Sequence, residues 1–211
     1  LSSPQLDQEA RGFSYRRGAP LDMRMDPTAG PTAAELVNGS SVEELASMFA
    51  ESGERRLARR LARAVVAARP IMRTDELAQV VAAAVPAPGR RRGHPARRVF
   101  QALRIAVNEE MGELAAFLPA ALHAVDPGGR LVAISYHSGE DRTVKAAMVE
   151  AGTGGCTCPP GLPCVCGARA QFRLVFRGAR KSSAAEVARN HRAESARLRA
   201  VERITAEASE G

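Results

Sequence analysis

Apolar residues recur every three or four positions through much of the first half of the chain, which is the spacing of amphipathic helices. Two capping boxes predict where helices begin, Thr32 with Glu35 and Ser41 with Glu44. A further helix is predicted to present one apolar face, formed by Leu57, Leu61, Val65 and Ala68. Thr74 is predicted to cap the helix after it. No strand pattern interrupts this stretch, which therefore predicts a small all-helical domain.

The longest periodic segment begins after His94-Pro95 and predicts one helix of about six turns. Its apolar stripe consists of Leu103, Val107, Met111, Leu114, Leu118, Leu122 and Val125. Pro119 lies inside this stripe. Because proline removes a backbone donor and crowds the preceding turn, the helix is predicted to kink or split there.

Residues 131–135 form a short, continuous apolar run, which predicts a strand buried on both faces. A helix is predicted at about 140–149, an edge strand at 172–176, and a helix-prone basic tail from 183 to about 204. Helix, buried strand and helix in succession are typical of an open, mostly parallel α/β sheet. The sequence therefore predicts an α/β fold with helices inserted between its two ends.

Lys and Arg number 30 against 23 Asp and Glu, which gives a net charge of +7 and a pI near 10. This balance favours a polyanionic partner, with nucleic acid ahead of a membrane surface, although a basic protein without such a partner is the alternative. No apolar run approaches the roughly 20 residues that span a bilayer, and the N-terminus lacks the order of a signal peptide. We therefore expect a cytoplasmic protein with no membrane partner. The sequence does not indicate an oligomeric state.

One helical face of the long periodic segment is basic. Arg97, Gln101 and Arg104 lie on it at spacings of four and three, and residues 90–92 are three more arginines. They are predicted to contact RNA phosphates, and the alternative is a solvated helix face. Asn108, one turn further, is predicted either to face the active site or to bond backbone groups.

All four cysteines lie within eleven residues, in two Cys-x-Cys pairs. They are Cys156, Cys158, Cys164 and Cys166. Four thiolates this close could surround Zn²⁺ tetrahedrally, but the usual spacing in such sites is Cys-x₂-Cys. Reduced or redox-labile thiols are therefore the alternative.

The segment 20–26 is polar and non-periodic, with Asp22 and Asp26 on either side of Arg24. These side chains could hold a base edge or fix the loop, and a salt-bridged surface loop is the alternative.

The chain resembles the bacterial small-subunit ribosomal RNA (cytosine-N4) methyltransferases, the MraW-like family, in six blocks that occur in the same order. The blocks are SSPQLD, RGFSY, PLDMRMD, FQALRIAVNEEMGEL, PGGRLVAISYHSGEDRTVK and ARLRAVERI. The resemblance implies a Rossmann-like methyltransferase fold with an inserted all-helical domain. Residues 1–27 would be a remnant of the core with the active-site loop, and 28–106 the inserted domain. Residues 107–211 would be the C-terminal half of the core, with a Cys-rich loop and a basic tail.

The family transfers a methyl group from S-adenosylmethionine to the exocyclic N4 amine of a cytosine, so the resemblance implies an enzyme of rRNA processing and ribosome biogenesis. Its partners would be ribosomal RNA and the small ribosomal subunit. The family's Gly-rich cofactor loop and ribose-binding acid have no counterpart in this sequence, which implies an N-terminally truncated chain. Of the cofactor contacts only Gln5 remains. The alternative is a non-catalytic RNA-binding or zinc-binding remnant.

A cytosine amine needs a hydrogen-bond acceptor before it can attack a methyl group, because its lone pair is drawn into the ring. Asp22 and Asp26 are the candidate acceptors, and Phe13 or Tyr15 could stack on the extruded base. Arg24 is a further candidate to contact it.

The block 137–142 stands where a predicted strand meets a helix, the position at which open α/β sheets bind ligands. His137 is predicted to be catalytic, and Ser138 and Arg142 to contact RNA. Ser138 with Asp141 is also a predicted capping box, which is a purely structural alternative.

Overall fold

The structure of the protein is a computed structural model. Its described residues are 4–5, 8–16, 18–86, 94–159 and 163–205. The chain is mixed α/β and divides into two compact units, Leu1–Glu110 (unit 1) and Met111–Gly211 (unit 2). Within the described ranges, no helix is both long and apolar enough to cross a membrane. The three-domain division and the Rossmann-like arrangement stay predictions.

The regular secondary structure in the described residues of unit 1 is helical. After a 3-10 turn at Glu9–Arg11 come α1 (Ala33–Gly39), α2 (Val42–Glu51), α3 (Ala58–Ala67), α4 (Thr74–Ala84) and α5 (Ala96–Val107). Each helix contributes a fully buried side chain to one core. These side chains are Val37, Phe49, Leu61, Leu77 and Leu103. Burying an aliphatic or aromatic side chain of this size contributes about 2 kcal/mol, so the shared core holds the helices together.

The two capping boxes predicted in the first half of the chain are confirmed. The Glu35 backbone N–H donates to Thr32 Oγ1 at 3.1 Å, and the Glu35 carboxylate accepts from the Thr32 N–H at 2.7 Å. Ser41 and Glu44 repeat the arrangement at the start of α2. The Thr74 cap is wrong, because Thr74 is the first residue of α4 and its Oγ1 instead accepts the Ala19 N–H at 3.0 Å. Thr74 therefore fastens the preceding loop to unit 1.

The single long helix predicted after His94-Pro95 is wrong. Helix α5 ends at Val107, and α6 (Glu110–Ala124) begins after two residues, of which Glu109 has a left-handed φ of 48°. Pro119 lies inside α6 without splitting it. Pro119 and Ala115, whose carbonyl loses its helical partner, are both exposed, so water can satisfy the free carbonyl.

Unit 2 contains a four-stranded sheet packed beneath helices α6 and α7 (Ser138–Thr153). Its strands are β1 (Arg130–Ser135), β2 (Phe172–Leu174), β3 (Arg180–Lys181) and β4 (Arg197–Arg203). The order is β1-β4-β2, and β3 also pairs with β4. Strand β1 runs along β4 from the pair Arg130–Glu202 to the pair Ser135–Arg197. As predicted, the segment that begins at Phe172 forms an edge strand.

Every strand pair in the described part of this sheet is antiparallel, so the predicted mostly parallel sheet is wrong for these residues. The cause lies in the tail, which was predicted to be helical to about residue 204. It forms only a short α8 (Ala184–Arg189) and a 3-10 turn at His191–Ser195 before β4. Pairing with β1 and β2 makes β4 the central strand, a non-local effect that outweighs local helix propensity.

The prediction that β1 is buried on both faces is also wrong. Leu131 and Ala133 pack against the core of unit 2, which includes Val201 of β4. Val132 and Ile134 point the other way and remain 54% and 55% exposed. The described part of unit 2 therefore covers one face of its sheet.

A half-buried ion pair joins α7 to the central strand. The Asp141 carboxylate accepts two hydrogen bonds from the Arg199 guanidinium, at 2.8 and 3.0 Å, and Arg197 lies 3.9 Å away. Both Asp141 and Arg199 side chains are 13% exposed. Hydrogen bonds from Arg199 lower the pKa of Asp141 below its ordinary value of 3.8.

We expect Asp141→Asn to lower the free energy of unfolding by about 2 kcal/mol at neutral pH, because Arg199 loses its charged partner in a largely dry site. Since the folded state depresses the pKa of Asp141, this stabilisation exists above pH 3.8 and is lost as the pH falls through the lower, folded-state pKa. Urea unfolding at several pH values measures both effects.

The matched control is Glu194→Gln. Glu194 lies 3.8 Å from His191, and these side chains are 67% and 88% exposed. Its loss should change stability by less than about 0.5 kcal/mol. Equal effects of the two substitutions would contradict the importance of the Asp141–Arg199 pair.

Candidate functional site

The loop 11–26 of unit 1 is folded on itself by backbone contacts. The Arg11 guanidinium donates to the carbonyls of Arg24 and Met25 at 2.9 and 2.6 Å, and the Met23 N–H donates to the Arg11 carbonyl at 3.0 Å. Gly12 has a φ of +73°, and a Cβ there would meet the Pro20 carbonyl. Glycine is thus required at position 12 for the backbone there to approach the backbone at Pro20.

Asn108 fixes this loop to the end of α5. Its side-chain oxygen accepts the Met25 N–H at 2.6 Å, and its amide nitrogen donates to the carbonyls of Met23 and Arg104, both at 2.8 Å. Met23 is fully buried and has a left-handed φ of 63°, a conformation that costs a non-glycine residue free energy. Of the two predicted roles for Asn108, the structure shows the backbone-bonding one.

The Asp22 carboxylate is fully engaged by Arg24. It accepts from Arg24 Nε and Nη2 at 2.8 and 2.9 Å, and from the Arg24 backbone N–H at 3.0 Å. These side-chain hydrogen bonds lower the pKa of Asp22. Asp22 and Arg24 therefore stabilise each other in the loop, which matches the structural alternative for this pair more closely than a free acceptor.

Asp26 stands at the exposed end of the loop. Its Oδ1 accepts from the Thr28 hydroxyl at 2.6 Å and from the Thr28 N–H at 2.9 Å, which lowers the pKa of Asp26. Asp26 is ionised at neutral pH, and the hydrogen bonds seen within the described residues reach Oδ1 alone. Of the two predicted acceptors, Asp26 is the one with an oxygen open to a ligand.

The two aromatic candidates have different surroundings. Phe13 is only 7% exposed and packs in the core of unit 1, with the Arg11 guanidinium 5.5 Å from its ring centre. The Phe13 ring, which was predicted to stack on a base, is thus packed in the core. Tyr15 is half-buried and stacks on His94 at 4.7 Å between ring centres, with an interplanar angle of 18°. His94 itself is exposed, so this stack reaches the surface.

The predicted phosphate-binding face is only partly available. Arg97 is exposed, and Gln101 is half-buried. Arg104, however, forms two hydrogen bonds with Glu110, at 2.6 and 3.0 Å, and its side chain is 18% exposed. The structure thus assigns Arg104 to an internal ion pair rather than to phosphate. Residues 90–92 lie outside the described part of the chain.

A second basic surface lies on α3 and just before it. The sequence interpretation did not assign this surface to RNA. Five arginines there are exposed, and none forms a salt bridge with a described residue. They are Arg55, Arg56, Arg59, Arg60 and Arg63. The signal was present in the sequence, because these arginines fill the positions outside the apolar face of the helix.

In unit 2 the capping box of α7 lies one residue earlier than predicted. His137 Nδ1 accepts the backbone N–H groups of Gly139 and Glu140 at 3.1 and 3.3 Å, and Glu140 accepts those of Tyr136 and His137 at 2.8 and 3.2 Å. The Ser138–Asp141 box is therefore wrong. Burial opposes the charge on Glu140, but the His137 imidazole, whose Nε2 lies 3.2 Å from Glu140 Oε1, and the Tyr136 backbone N–H outweigh it and lower the pKa of Glu140 to about 2.

The roles of His137, Ser138, Arg142 and Gln5 stay predictions. His137 holds the N-terminus of α7, and a catalytic role for it stays a prediction. Ser138 and Arg142 are exposed in the first turns of the same helix. Gln5 is half-buried in unit 1.

The four cysteines are brought together after α7. All four Sγ atoms lie within 4.8 Å of one another. The Ala168 backbone N–H, followed by the thiols of Cys164 and Cys156, lowers the pKa of Cys166 below its ordinary value. The described residues thus contain one cluster of soft, sulfur ligands.

Comparison with known proteins gives one consistent result. Residues 1–204 match the family described as the MraW methylase family. The ribosomal RNA small subunit methyltransferase H of Heliobacterium modesticaldum is 49% identical over 97% of this chain, and that of Acidothermus cellulolyticus is 53% identical over 97%. These alignments cover 66% and 63% of the two relatives. The chain therefore spans about two thirds of their length.

We expect the amide of Asn108 to be essential for the loop. Asn108→Ala should lower the free energy of unfolding by about 2 kcal/mol, because it leaves backbone groups of the buried Met23 and the half-buried Met25 without their hydrogen-bond partners. Asn108→Asp should cost at least as much at neutral pH, since a carboxylate would face the carbonyls of Met23 and Arg104. Part of that cost should disappear in acid, where a protonated Asp can donate. Urea unfolding and limited proteolysis of the loop measure this.

Gln101→Glu is the matched control, because Gln101 is half-buried on the same helix and the substitution likewise converts an amide to an acid. It should change stability by less than about 0.5 kcal/mol. An Asn108→Asp variant as stable as the parent protein would show that the loop is held by other contacts.

Proposed function

Because the chain belongs to the MraW methylase family, we propose that it acts in S-adenosylmethionine-dependent methylation of the exocyclic N4 of a cytosine in small-subunit ribosomal RNA. The observation that supports this most strongly is the family match over residues 1–204, together with relatives named ribosomal RNA small subunit methyltransferase H. The substrate is then ribosomal RNA of the small subunit. The methylation is a step of ribosome biogenesis in the cytoplasm.

The cofactor of this reaction supplies an electrophilic methyl group. The sequence has no Gly-x-Gly-x-x-Gly stretch of the kind that cradles such nucleotides, and Gln5 is the one residue that we assign to cofactor contact. The described residues do not form a cofactor cradle by themselves. The residues of this chain would hold the RNA and the amine.

The Asp26 carboxylate is the proposed acceptor for an N–H of the cytosine amine. Its Oδ1 is fixed by Thr28, and its position in the loop depends on the Asn108 contacts one residue away, at Met25. The carboxylate attracts the amine hydrogen, which leaves more electron density on the nitrogen and makes its lone pair more available for attack. Asp22, held on both oxygens by Arg24, positions the loop instead.

Tyr15 is the proposed stacking partner for the target base. Its ring already stacks on exposed His94 and meets Phe100 edge-on at 5.8 Å between ring centres. Bases that have left a stack are commonly held on such aromatic platforms. A base could extend this stack or replace His94 in it.

The exposed arginines from Arg55 to Arg63, which we name the α3 arginines, are proposed to contact RNA phosphates. They are Arg55, Arg56, Arg59, Arg60 and Arg63. Exposed guanidinium groups without an acidic partner can neutralise phosphates at low desolvation cost. Arg97, also exposed, extends the set in the same unit.

A second function class is an RNA-binding protein without methyl transfer, which the exposed α3 arginines would serve equally well. The two classes share the RNA surface and differ in chemistry. Methyl incorporation from labelled S-adenosylmethionine into small-subunit RNA, with the modified nucleoside identified by mass spectrometry, separates them. RNA binding without incorporation would favour the second class, and a methyl group on another atom would contradict the N4 assignment.

We expect Asp26→Asn to lower the rate of methyl incorporation on the order of 100-fold, because the amine loses a charged acceptor, while RNA affinity and stability change little. Asp22→Asn should instead lower stability through the loss of its pairing with Arg24. Single-turnover rates and urea unfolding distinguish the two. Asp126→Asn, at an exposed carboxylate of unit 2, is the control and should match the parent protein. Equal rates for Asp26→Asn and Asp126→Asn would remove Asp26 as the acceptor.

The double variant Arg59→Ala/Arg60→Ala removes two α3 arginines. The slope of log affinity against log salt concentration should become less steep by about 1.5, because two phosphate contacts are lost. Fluorescence anisotropy with small-subunit RNA measures this slope.

The control with the same charge change is Arg130→Ala/Arg173→Ala, since both of these arginines are bound to Glu202. Its slope should stay close to that of the parent protein. If both variants lowered the slope equally, net charge alone, and not the α3 arginines, would govern binding.

A further inference from the structure

We propose that Cys156, Cys158, Cys164 and Cys166 bind one zinc ion in tetrahedral coordination, in the loop between α7 and β2 of unit 2. This site is separate in its chemistry from methyl transfer and does not depend on the proposed function.

The spacing of the four sulfur atoms matches a tetrahedron around a single ion. Cys164 Sγ lies 3.4 Å from Cys156 Sγ, 3.9 Å from Cys158 Sγ and 3.4 Å from Cys166 Sγ. Cys166 and Cys156 are 3.6 Å apart, and all the sulfurs lie within 4.8 Å of each other. A zinc–thiolate bond of about 2.3 Å places tetrahedral sulfur ligands about 3.8 Å apart. The ligands thus stand close to the positions that zinc requires.

The same distances argue against two disulfides as the purpose of the cluster. A disulfide joins two sulfurs at about 2.05 Å, so each sulfur has one close partner. Here all four cysteines are free, and Cys164 has three sulfur neighbours at similar distances. Such a convergence of four thiols on one point is the geometry of a metal site.

The donor set selects the kind of metal. Four thiolates are soft ligands that favour zinc or iron over magnesium and calcium, and tetrahedral all-sulfur coordination is the usual arrangement of structural zinc. The ligands of a polynuclear iron–sulfur cluster attach to different iron atoms, whereas these sulfurs surround a single point. Zinc is therefore the proposed ion.

The described residues of this loop, 154–159 and 163–170, have few other contacts within the described part of the chain. The loop leaves α7 at Gly154, whose φ is +64° and where a Cβ would overlap the Arg169 carbonyl, so the two ends of the loop are in contact. The Gln171 N–H donates to the Ala151 carbonyl at 3.2 Å and closes the base. Beyond this base Val165 is 89% exposed. An ion bound by four ligands would hold the loop in the way that apolar packing holds the rest of unit 2.

The experiment uses the full chain purified under reducing conditions, with zinc quantified by mass spectrometry and metal exchange followed with Co²⁺. We expect about one zinc per chain, protection of all four thiols from alkylation, and Co²⁺ absorption typical of tetrahedral thiolates. Cys164→Ser should weaken zinc binding at least tenfold, and Thr157→Ala, in the same loop, should not. Circular dichroism establishes that both variants are folded.

Three results would overturn the proposal. One is a folded chain that holds no zinc after zinc is supplied while its four thiols stay reactive. Another is the formation of two disulfides in air in the presence of zinc. The third is iron in place of zinc in the purified protein, with zinc unable to displace it.

Discussion

The side-chain amide of Asn108 makes three hydrogen bonds to the backbone at one point of unit 1, and the shape of the loop 11–26 depends on them. A loop that packs into a core lacks the regular backbone hydrogen bonds of a helix or sheet. Each of its buried N–H and carbonyl groups still needs a hydrogen-bond partner. Asn108 can supply both a donor and an acceptor from a single planar group. The left-handed Met23 and the neighbouring carboxylates, Asp22 and Asp26, take their positions from this contact.

The surplus of positive charge is divided between two kinds of arginine. Arg11, Arg24 and Arg104 are committed to carbonyls or carboxylates inside unit 1, where they hold the loop and the end of α5. The α3 arginines are exposed and form no salt bridge with a described residue, so they can meet a polyanion. A net charge of +7 does not distinguish these groups, although only the second can contribute to RNA affinity without breaking an existing pair.

Unit 2 is organised around β4, which pairs with each of the other strands of the described sheet. Arg199 of this strand reaches Asp141 on α7, so the charge of the strand also fixes the helix that covers the sheet. The His137–Glu140 box sets where that helix begins, and the cysteine loop follows where it ends. The chemistry-bearing residues of unit 2 thus lie at the two ends of one helix.

The sequence by itself determined the features that depend on near neighbours. The helix starts at Thr32 and Ser41, the strand at 131–135 and the edge strand from Phe172 follow from side chains a few residues apart, and the family follows from six ordered blocks. Only the tertiary structure decided what depends on distant partners. The apolar stripe runs unbroken past Asn108, but α5 ends at Val107 and the Asn108 side chain bonds the backbone of the loop. The tail became a strand because β1 and β2 lie beside it, and Arg104 lost its predicted role because Glu110 is within reach. Pairing, burial and competition for charge are properties of side chains brought together by folding, and no local pattern of residues records them.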